Sequence, residues 1–339
     1  MKIKDLLIDI PYEVIQGTDE INIHNISWDS RRLNPNSLFI CVKNKNVDRH
    51  IYAQAAIKSG ATTLLIEHKT SNIPIGINVI KVENTKLAMA IIANRFYDEP
   101  SKKFNLIGIT GTNGKTTVAF FITRILESIG RKVGIISTIE NSIGNTTLKT
   151  SKLNPTTPDA IELQSSFAEM AENNVTDAII EVTSIALEQH RTYMCDFDIG
   201  IFTNLTQDHL DVHGTMENYK KAKMKLFKMC RFGIINADDP VSQETIQNAT
   251  CDIVTYGINN TSDFMAKDIV YSHEGVSFTL CFCDNLKKVQ LNVPGEFSVY
   301  NALTAIASCY FLGFPLPLII DALTNINVEI VKEYFSHIL

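Results

Sequence analysis

Gly108-Ile-Thr-Gly-Thr-Asn-Gly-Lys-Thr-Thr117 decides how this 339-residue chain is read. The residues before it, Asn105–Ile109, form a short, mostly apolar run of the kind that makes a buried strand, and Val118–Ile129 continues with helical spacing. Strand, glycine-rich turn and helix together predict a phosphate cradle. Backbone N–H groups and the helix N-terminus hold nucleotide phosphates, Lys115 reaches the terminal ones, and the Thr116 hydroxyl faces Mg²⁺. The eight-residue P-loop pattern does not fit in full, because its first glycine falls on Ile109. A shorter loop remains: Gly111, Thr112, Asn113, Gly114, Lys115, Thr116 and Thr117.

Composition sets the bounds. With 45% hydrophobic and 20% charged residues, the chain is expected to fold, as two or three domains. The net charge of −6 argues against a general nucleic-acid binder and leaves local nucleotide binding open. The seven cysteines make no CxxC pair and no cysteine–histidine cluster of zinc-like spacing, so they read as reduced thiols in the cytoplasm. Cys281 and Cys283 alternate along a strand-like run. Met1-Lys-Ile-Lys-Asp-Leu6 lacks the features of a signal peptide. The most apolar stretch, Thr304–Ile320, is broken by Gly313, Pro315 and Pro317; it reads as a buried helix with its exit turn, and no membrane insertion is expected.

Residues 1 to about 100 alternate apolar runs (Leu38–Val42, Thr63–Ile66, Asn78–Val82) with helical stretches (Tyr52–Ser59, Thr85–Tyr97), which predicts a small α/β domain. Asp98–Lys103 reads as a linker. From 104 to about 325 the buried runs Lys132–Ser137, Asp177–Val182, Ile199–Asn204 and Phe232–Asn236 alternate with helices at Ala160–Glu172 and Asn218–Met229. That pattern predicts a doubly wound, mostly parallel sheet with ligands at the carboxyl ends of its strands. Residues 326–339 read as a tail.

Polar residues gather at those strand ends. Glu181 closes one apolar run, where a carboxylate is placed either for Mg²⁺ or for solvent. Thr203–Gly214 packs Asp208, His209, Asp211 and His213 into six residues, a density suited to metal or acid–base work. In Tyr219–Phe227 four lysines suggest a solvated basic face, except that Lys223 lies between Ala222 and Met224 and is placed to point inward. Asn154-Pro-Thr-Thr-Pro-Asp159 carries paired hydroxyls, Thr156 and Thr157, for an anion or for a helix cap. Asn236-Ala-Asp-Asp-Pro240 has the same ambiguity.

Taken together, these stretches resemble the Mur ligase family, and most of all its UDP-N-acetylmuramoyl-tripeptide synthetases (MurE type). The likeness runs through Trp28–Phe39, Gly111–Thr117, Asn154–Asp159, Glu181–Ser184, Gln189–Arg191, Thr203–Gly214, Tyr219–Phe227, Asn236–Asp239 and Pro294–Ala302, nine stretches in the family's order. It implies an ATP-dependent amide ligase of peptidoglycan precursor synthesis. ATP phosphorylates the carboxylate of UDP-N-acetylmuramoyl-L-alanyl-D-glutamate, the amine of an incoming amino acid attacks the acyl phosphate, and phosphate leaves. ATP and Mg²⁺ are the implied cofactors.

The resemblance also implies roles. Lys115 and Thr116 bind phosphate and Mg²⁺; Glu181 and His209 ligate a second Mg²⁺; Lys223 matches a lysine that is carbamylated in the family and so becomes an anion near the metal. Asn301 matches the adenine contact. Ser30 matches the uridine-binding part of the first domain, and Asn154, Thr156, Thr157, Ser184, Gln189 and Arg191 match the muramoyl-peptide site.

Departures matter as well. Ile185 stands where the family has His, Asp48-Arg49-His50 replaces Asp-Gly-His and is expected to crowd the uridine site, and Ser298 replaces Asn. The family's third domain and its Gly-Arg hinge find no counterpart, the corresponding place reading Val331-Lys-Glu-Tyr334. Two other functions are therefore carried beside the ligase: a non-ligating module that binds nucleotide or UDP-muramoyl peptide, and one half of a split ligase completed by a separate chain. A folylpolyglutamate synthetase shares the phosphate loop, but lacks the Asp29-Ser-Arg31 first domain.

Overall fold

The computed structural model describes residues 1–44, 47–149, 154–208, 210–283 and 285–336. The chain divides into two units. The first comprises Met1–Pro100, Pro158–Ala168 and Gln189–Met194; the second comprises Ser101–Thr157, Glu169–Glu188 and Cys195–Leu339.

In the first unit, β1 (Tyr12–Gln16), β2 (Asn25–Ser27), β3 (Ser37–Ile40), β4 (Ala61–Ile66) and β5 (Asn78–Val82) form a sheet in the order β1-β5-β4-β3-β2. β2 to β5 are parallel, and β1 joins antiparallel on β5. Helices α1 (Ile3–Leu6), α2 (Ala53–Lys58) and α3 (Thr85–Phe96) cover it. Asn84 caps α3, its side chain accepting from the Lys86 and Leu87 N–H groups at 3.0 Å each. The faces of β3 and β4 are buried on both sides, as continuous apolar runs in a parallel sheet require.

The second unit is built on β6 (Asn105–Thr110), β7 (Val133–Ile136), β8 (Asn141–Ile143), β9 (Thr146–Thr147), β10 (Asp177–Glu181), β11 (Phe197–Phe202), β12 (Cys230–Asn236), β13 (Asp252–Gly257), β14 (Phe264–Tyr271), β15 (Val276–Phe282) and β16 (Asn285–Leu291). Their order is β16-β15-β14-β13-β12-β11-β6-β10-β7-β8-β9. The expected parallel core is present: β7, β10, β6, β11, β12 and β13 run parallel in register. Antiparallel hairpins β14–β15–β16 and β7–β8–β9 extend it on either side. Cys281 lies in β15, whereas Cys283 is exposed past its end with φ of +49°.

The helices are α4 (Lys115–Ser128), α5 (Ala160–Glu172), α6 (Ser184–Glu188), α7 (Leu210–His213), α8 (Met216–Met224), α9 (Ser242–Asn248), α10 (Glu296–Phe311), α11 (Leu316–Thr324) and α12 (Val328–Ser336). The helix expected over Asn218–Met229 is shorter: α8 ends at Met224 and tightens into a 3₁₀ turn, Lys225–Lys228. α4 buries Val118, Phe120, Phe121, Ile122 and Ile125 against α10 and the sheet, each such side chain worth about 1.5–3 kcal/mol. Thr304–Ile320 is the end of α10, an exit turn at Gly313 and the start of α11.

Glycines set the seat of the 3₁₀ turn. Gly108, Gly200 and Gly233 stand opposite one another on β6, β11 and β12. A Cβ on Gly108 would meet Phe197 at 2.6 Å and Leu226 at 3.2 Å; one on Gly200 would meet Cys230 at 2.8 Å; one on Gly233 would meet Phe227 at 2.9 Å. The bare strip lets Leu226 and Phe227, both fully buried, lie flat on the sheet.

Candidate active site

The phosphate loop leaves β6 at Thr110. Gly111 has φ of +147°, and a Cβ there would meet Thr203 Oγ1 at 1.9 Å, so no side chain fits. Gly114 takes φ of +84° and begins α4 with no side-chain cap. The first N–H groups of this 14-residue helix therefore face outward uncapped, as an anion site needs. Thr112 N–H donates to Asn204 O at 2.8 Å and Asn113 N–H to Asn204 Oδ1 at 3.0 Å, which ties the loop to the end of β11. Thr116 and Thr117 are half-buried in the first turn of α4.

Lys115 Nζ folds back on its own loop, donating to Gly111 O at 3.0 Å and Thr112 O at 2.9 Å. Burial lowers its pKa, while the carboxylates of Glu181 and Asp208 oppose the shift. Lys223 points inward from α8 and is 2% exposed. Its Nζ donates to the same Gly111 O at 2.7 Å and lies 4.5 Å from the centre of the Tyr219 ring. Lys220 and Lys221 instead pair with Glu217 on the surface, Lys220 reaching Glu244 too. Burial, then the nearby Lys115 charge, pushes the Lys223 pKa down to about 6.

Glu181, at the end of β10, is fully buried. Thr138 holds both its oxygens: the N–H donates to Oε1 at 3.1 Å and the hydroxyl to Oε2 at 3.0 Å. Thr156 Oγ1 lies 3.0 Å from Thr138 Oγ1, and Thr157 Oγ1 donates to Glu181 O at 2.9 Å. Ser184 Oγ lies 2.9 Å from His213 Nε2. Asn154 is half-buried at the start of this stretch. His209 lies outside the described residues. A buried carboxylate with spare lone pairs and a threonine hydroxyl in the loop are oxygen donors of the kind a hard cation such as Mg²⁺ takes.

A cavity of about 620 Å³ adjoins the loop, lined among others by Asn113, Gly114, Thr117, Asp238, Tyr300 and Asn301. Asp238 shapes it. Its carboxylate accepts from the N–H groups of Ile258 (2.7 Å), Asn259 (3.0 Å) and Asn260 (2.6 Å), and from Tyr300 OH at 2.8 Å. Burial raises its pKa, but these donors outweigh burial and the net shift is downward. Asp239 accepts from Leu205 N–H at 2.8 Å and Val241 N–H at 3.0 Å. Ser298 is buried, its hydroxyl donating to Pro294 O at 2.9 Å.

In the first unit, Ser30 is half-buried in a turn beside Asp29, whose carboxylate accepts from Arg31 N, Nε and a terminal nitrogen at 2.8–3.0 Å. Arg49 does not stand free: its guanidinium stacks 4.1 Å above the Trp28 ring. Gln189 Oε1 accepts from Arg191 at 2.8 and 3.2 Å, and burial lowers the Arg191 pKa against the charges of Asp159 and Glu162. Asp159 caps α5 through the N–H groups of Ile161 and Glu162. Asp48, His50 and His68 offer ligand atoms within 4.8 Å of one another. The Glu67 N–H donates to His50 Nε2 at 3.0 Å, so the His50 proton sits on Nδ1 and is given to Asp48. The trio is satisfied as a hydrogen-bonded relay.

Neither Thr138 nor Tyr300 is marked as a site residue by its sequence pattern. Ser137-Thr-Ile-Glu140 reads as an ordinary turn, and the one available signal is its place at the end of a buried strand next to β10.

The Mur ligase middle-domain model matches residues 109–309, and a Mur ligase family catalytic-domain model matches residues 22–97. The UDP-N-acetylmuramoyl-L-alanyl-D-glutamate–2,6-diaminopimelate ligase 2 of Clostridium acetobutylicum is 42% identical over 327 residues, covering 96% of this chain and 68% of the relative. The corresponding ligase of Caldanaerobacter subterraneus is 42% identical over 330 residues, with 97% and 67% covered. A solved structure of such a ligase superposes with a TM-score of 0.86 at 28% identity, over 96% of this chain and 66% of that one. MurF from Acinetobacter baumannii shares the fold, at a TM-score of 0.66 and 20% identity. The chain spans about two-thirds of the length of these relatives. With two family models matched in order and this identity along nearly its whole length, the chain belongs to the Mur ligase family.

Proposed function

We propose that this chain carries the UDP-muramoyl-binding and ATP-binding parts of an ATP-dependent acid–amino-acid ligase that extends UDP-N-acetylmuramoyl-L-alanyl-D-glutamate in the cytoplasm. Residues 1–100 bind the uridine end through the region of Ser30, and residues 104–325 bind ATP. The observation that carries this reading is the convergence of Lys115 and Lys223 on Gly111 O beside the fully buried Glu181. Pure nucleotide binding needs no second, largely neutral amine in that place.

In the mechanism, the uncapped start of α4 and Lys115 hold the transferring phosphate against the loop. Asn301 and the cavity formed with Asp238 and Tyr300 hold adenine. Thr156, Thr157 and Ser184 hold and orient the muramoyl peptide, whose carboxylate is activated as an acyl phosphate and then attacked by the amine of the incoming amino acid. Thr116, Glu181, His209 and Lys223, once carbamylated, would hold Mg²⁺, which supplies charge neutralisation between the two anions. Lys223 is suited to carbamylation because a pKa of about 6 leaves a free amine at neutral pH, and only a free amine takes up CO₂. No helix among the described residues is long and apolar enough to cross a membrane.

The test is phosphate release from ATP and Mg²⁺ by the purified chain, given the UDP-muramoyl dipeptide with 2,6-diaminopimelate or lysine. Release that requires both substrates and disappears in Lys115→Ala supports the ligase. Calorimetric binding of either nucleotide without such release would instead support the binding module or the split ligase.

A further inference from the structure

Cys230 opens β12, and Cys251 stands one residue before β13. These strands are parallel neighbours, with Phe232 opposite Asp252, so both cysteines lie at strand entrances, at the end of the sheet away from the phosphate loop. Their sulfurs are 3.5 Å apart, Cys230 donating to Cys251. Glycine supplies the room: a Cβ on Gly200 would meet Cys230 Sγ at 2.8 Å, and one on Gly233 would meet Cys251 Sγ at 3.1 Å. Thr250 N–H donates to Phe227 O at 3.1 Å and fixes the chain just before Cys251. Both thiols are half-buried and open to a small reagent, whereas Cys41, Cys195 and Cys309 are buried.

We propose that Cys230 and Cys251 form a dithiol modification site, which a hydroperoxide converts reversibly to an intramolecular disulfide. Adjacent strands about 4.8 Å apart and offset by one residue put the two Cα atoms about 5.8 Å apart, inside the range that a disulfide spans. The sulfurs need to approach by about 1.5 Å to reach bonding length. The Cys230 S–H bond lowers the Cys251 pKa and, together with burial, raises that of Cys230, so Cys251 is the attacking thiolate.

In the first step the Cys251 thiolate attacks one peroxide oxygen. The O–O bond breaks, an S–O bond forms, and hydroxide leaves, giving a sulfenic acid. In the second, Cys230 sulfur attacks the sulfenic sulfur; the S–S bond forms, the S–O bond breaks, and the Cys230 proton leaves with hydroxide as water. Two thiols lose two electrons in total, and one peroxide is reduced to two waters.

The test is hydrogen peroxide on the folded chain, followed by unfolding in denaturant, alkylation and peptide mass mapping. The expected result is a fall of two in the seven alkylatable thiols, with the Cys230 and Cys251 peptides joined and lighter by two hydrogens than their sum. Dithiothreitol restores both thiols. In Cys230→Ser the resolving thiol is gone, and dimedone is expected to trap a sulfenic acid on Cys251. Separate alkylation of both cysteines after peroxide overturns the proposal, as does the same linked peptide forming equally in the urea-unfolded chain. Absence of a dimedone adduct in folded Cys230→Ser overturns the assignment of Cys251 as nucleophile.

Discussion

Lys115 and Lys223, from different helices, give their amines to one acceptor: the carbonyl oxygen of Gly111, at 3.0 and 2.7 Å. Two ammonium groups on one carbonyl repel each other, and burial of both adds to the cost. The lysine with the lowered pKa of about 6 relieves that repulsion by releasing its proton. The phosphate loop thus holds Lys115, whose pKa burial lowers against the pull of Glu181 and Asp208, beside an amine that is mostly neutral at physiological pH.

The first prediction follows from that asymmetry. The Lys223 pKa is about 6 folded and 10.5 unfolded, so between these pH values the unfolded chain binds the extra proton and stability rises with pH. Lys223→Met removes the buried amine. It is expected to stabilise the chain by about 1–4 kcal/mol near pH 6 and to flatten the pH dependence above it. Denaturant melts at pH 6 and pH 9 check this. Turnover is expected to fall about a hundredfold or more in the same variant, while Lys220→Ala keeps it. Equal loss in both variants would mean that α8 offers only a basic face.

Lys115→Ala is expected to keep the fold, because among the described residues Lys115 hydrogen-bonds to carbonyls of its own loop. Nucleotide binding, measured by calorimetry with ADP, is expected to weaken at least about tenfold, the loss of one charge-assisted contact. Unchanged affinity and turnover would remove Lys115 from the site.

Thr138→Val takes one donor from a fully buried carboxylate. The expected cost is about 1–3 kcal/mol of stability, with more Mg²⁺ needed for half-maximal turnover. Thr138→Ser keeps the hydroxyl and is expected to restore both. A serine variant as impaired as the valine one would show that the methyl group matters instead of the bond to Glu181.

Asp238→Asn keeps the size of the side chain and removes its charge. The strand-end segment Ile258–Asn260 and Tyr300 are expected to loosen, and ADP affinity to fall by about 5- to 100-fold, with little change in binding of the UDP-muramoyl dipeptide. Equal weakening of both ligands would point to general unfolding.

Much of this was legible in the sequence because the signals were local. The phosphate loop declares its glycines and lysine in seven residues, and the buried strands β6, β10, β11 and β12 show as short apolar runs. Lys223 stood out because Ala222 and Met224 flank it. Thr138 did not, since its partner Glu181 is 43 residues away and the contact arises only when β7 pairs with β10. In Asn236–Asp239 both aspartates line the cavity beside the loop and both are hydrogen-bonded to the chain: Asp239 to Val241 and Leu205, Asp238 to Ile258–Asn260 and Tyr300. Of the hairpins β14–β16 the sequence shows only the strand-like run at Cys281, because half-polar alternation on an outer strand is weak beside the apolar runs of the sheet centre.

The bare strip of Gly108, Gly200 and Gly233 has a further consequence. The turn resting on it follows α8 directly, so the strip fixes the height of the Lys223 amine above the strands. A methyl group on any of the three would press on the turn, meeting Leu226 at 3.2 Å from Gly108 or Gly200 and Phe227 at 2.9 Å from Gly233, and would displace it by a few tenths of an ångström. Carried along α8, that lift would lengthen the 2.7 Å contact of Lys223 with Gly111 O without altering the loop itself. Three missing side chains thus set the reach of the Lys223 amine, and inherited change at these silent positions would shift it from beneath.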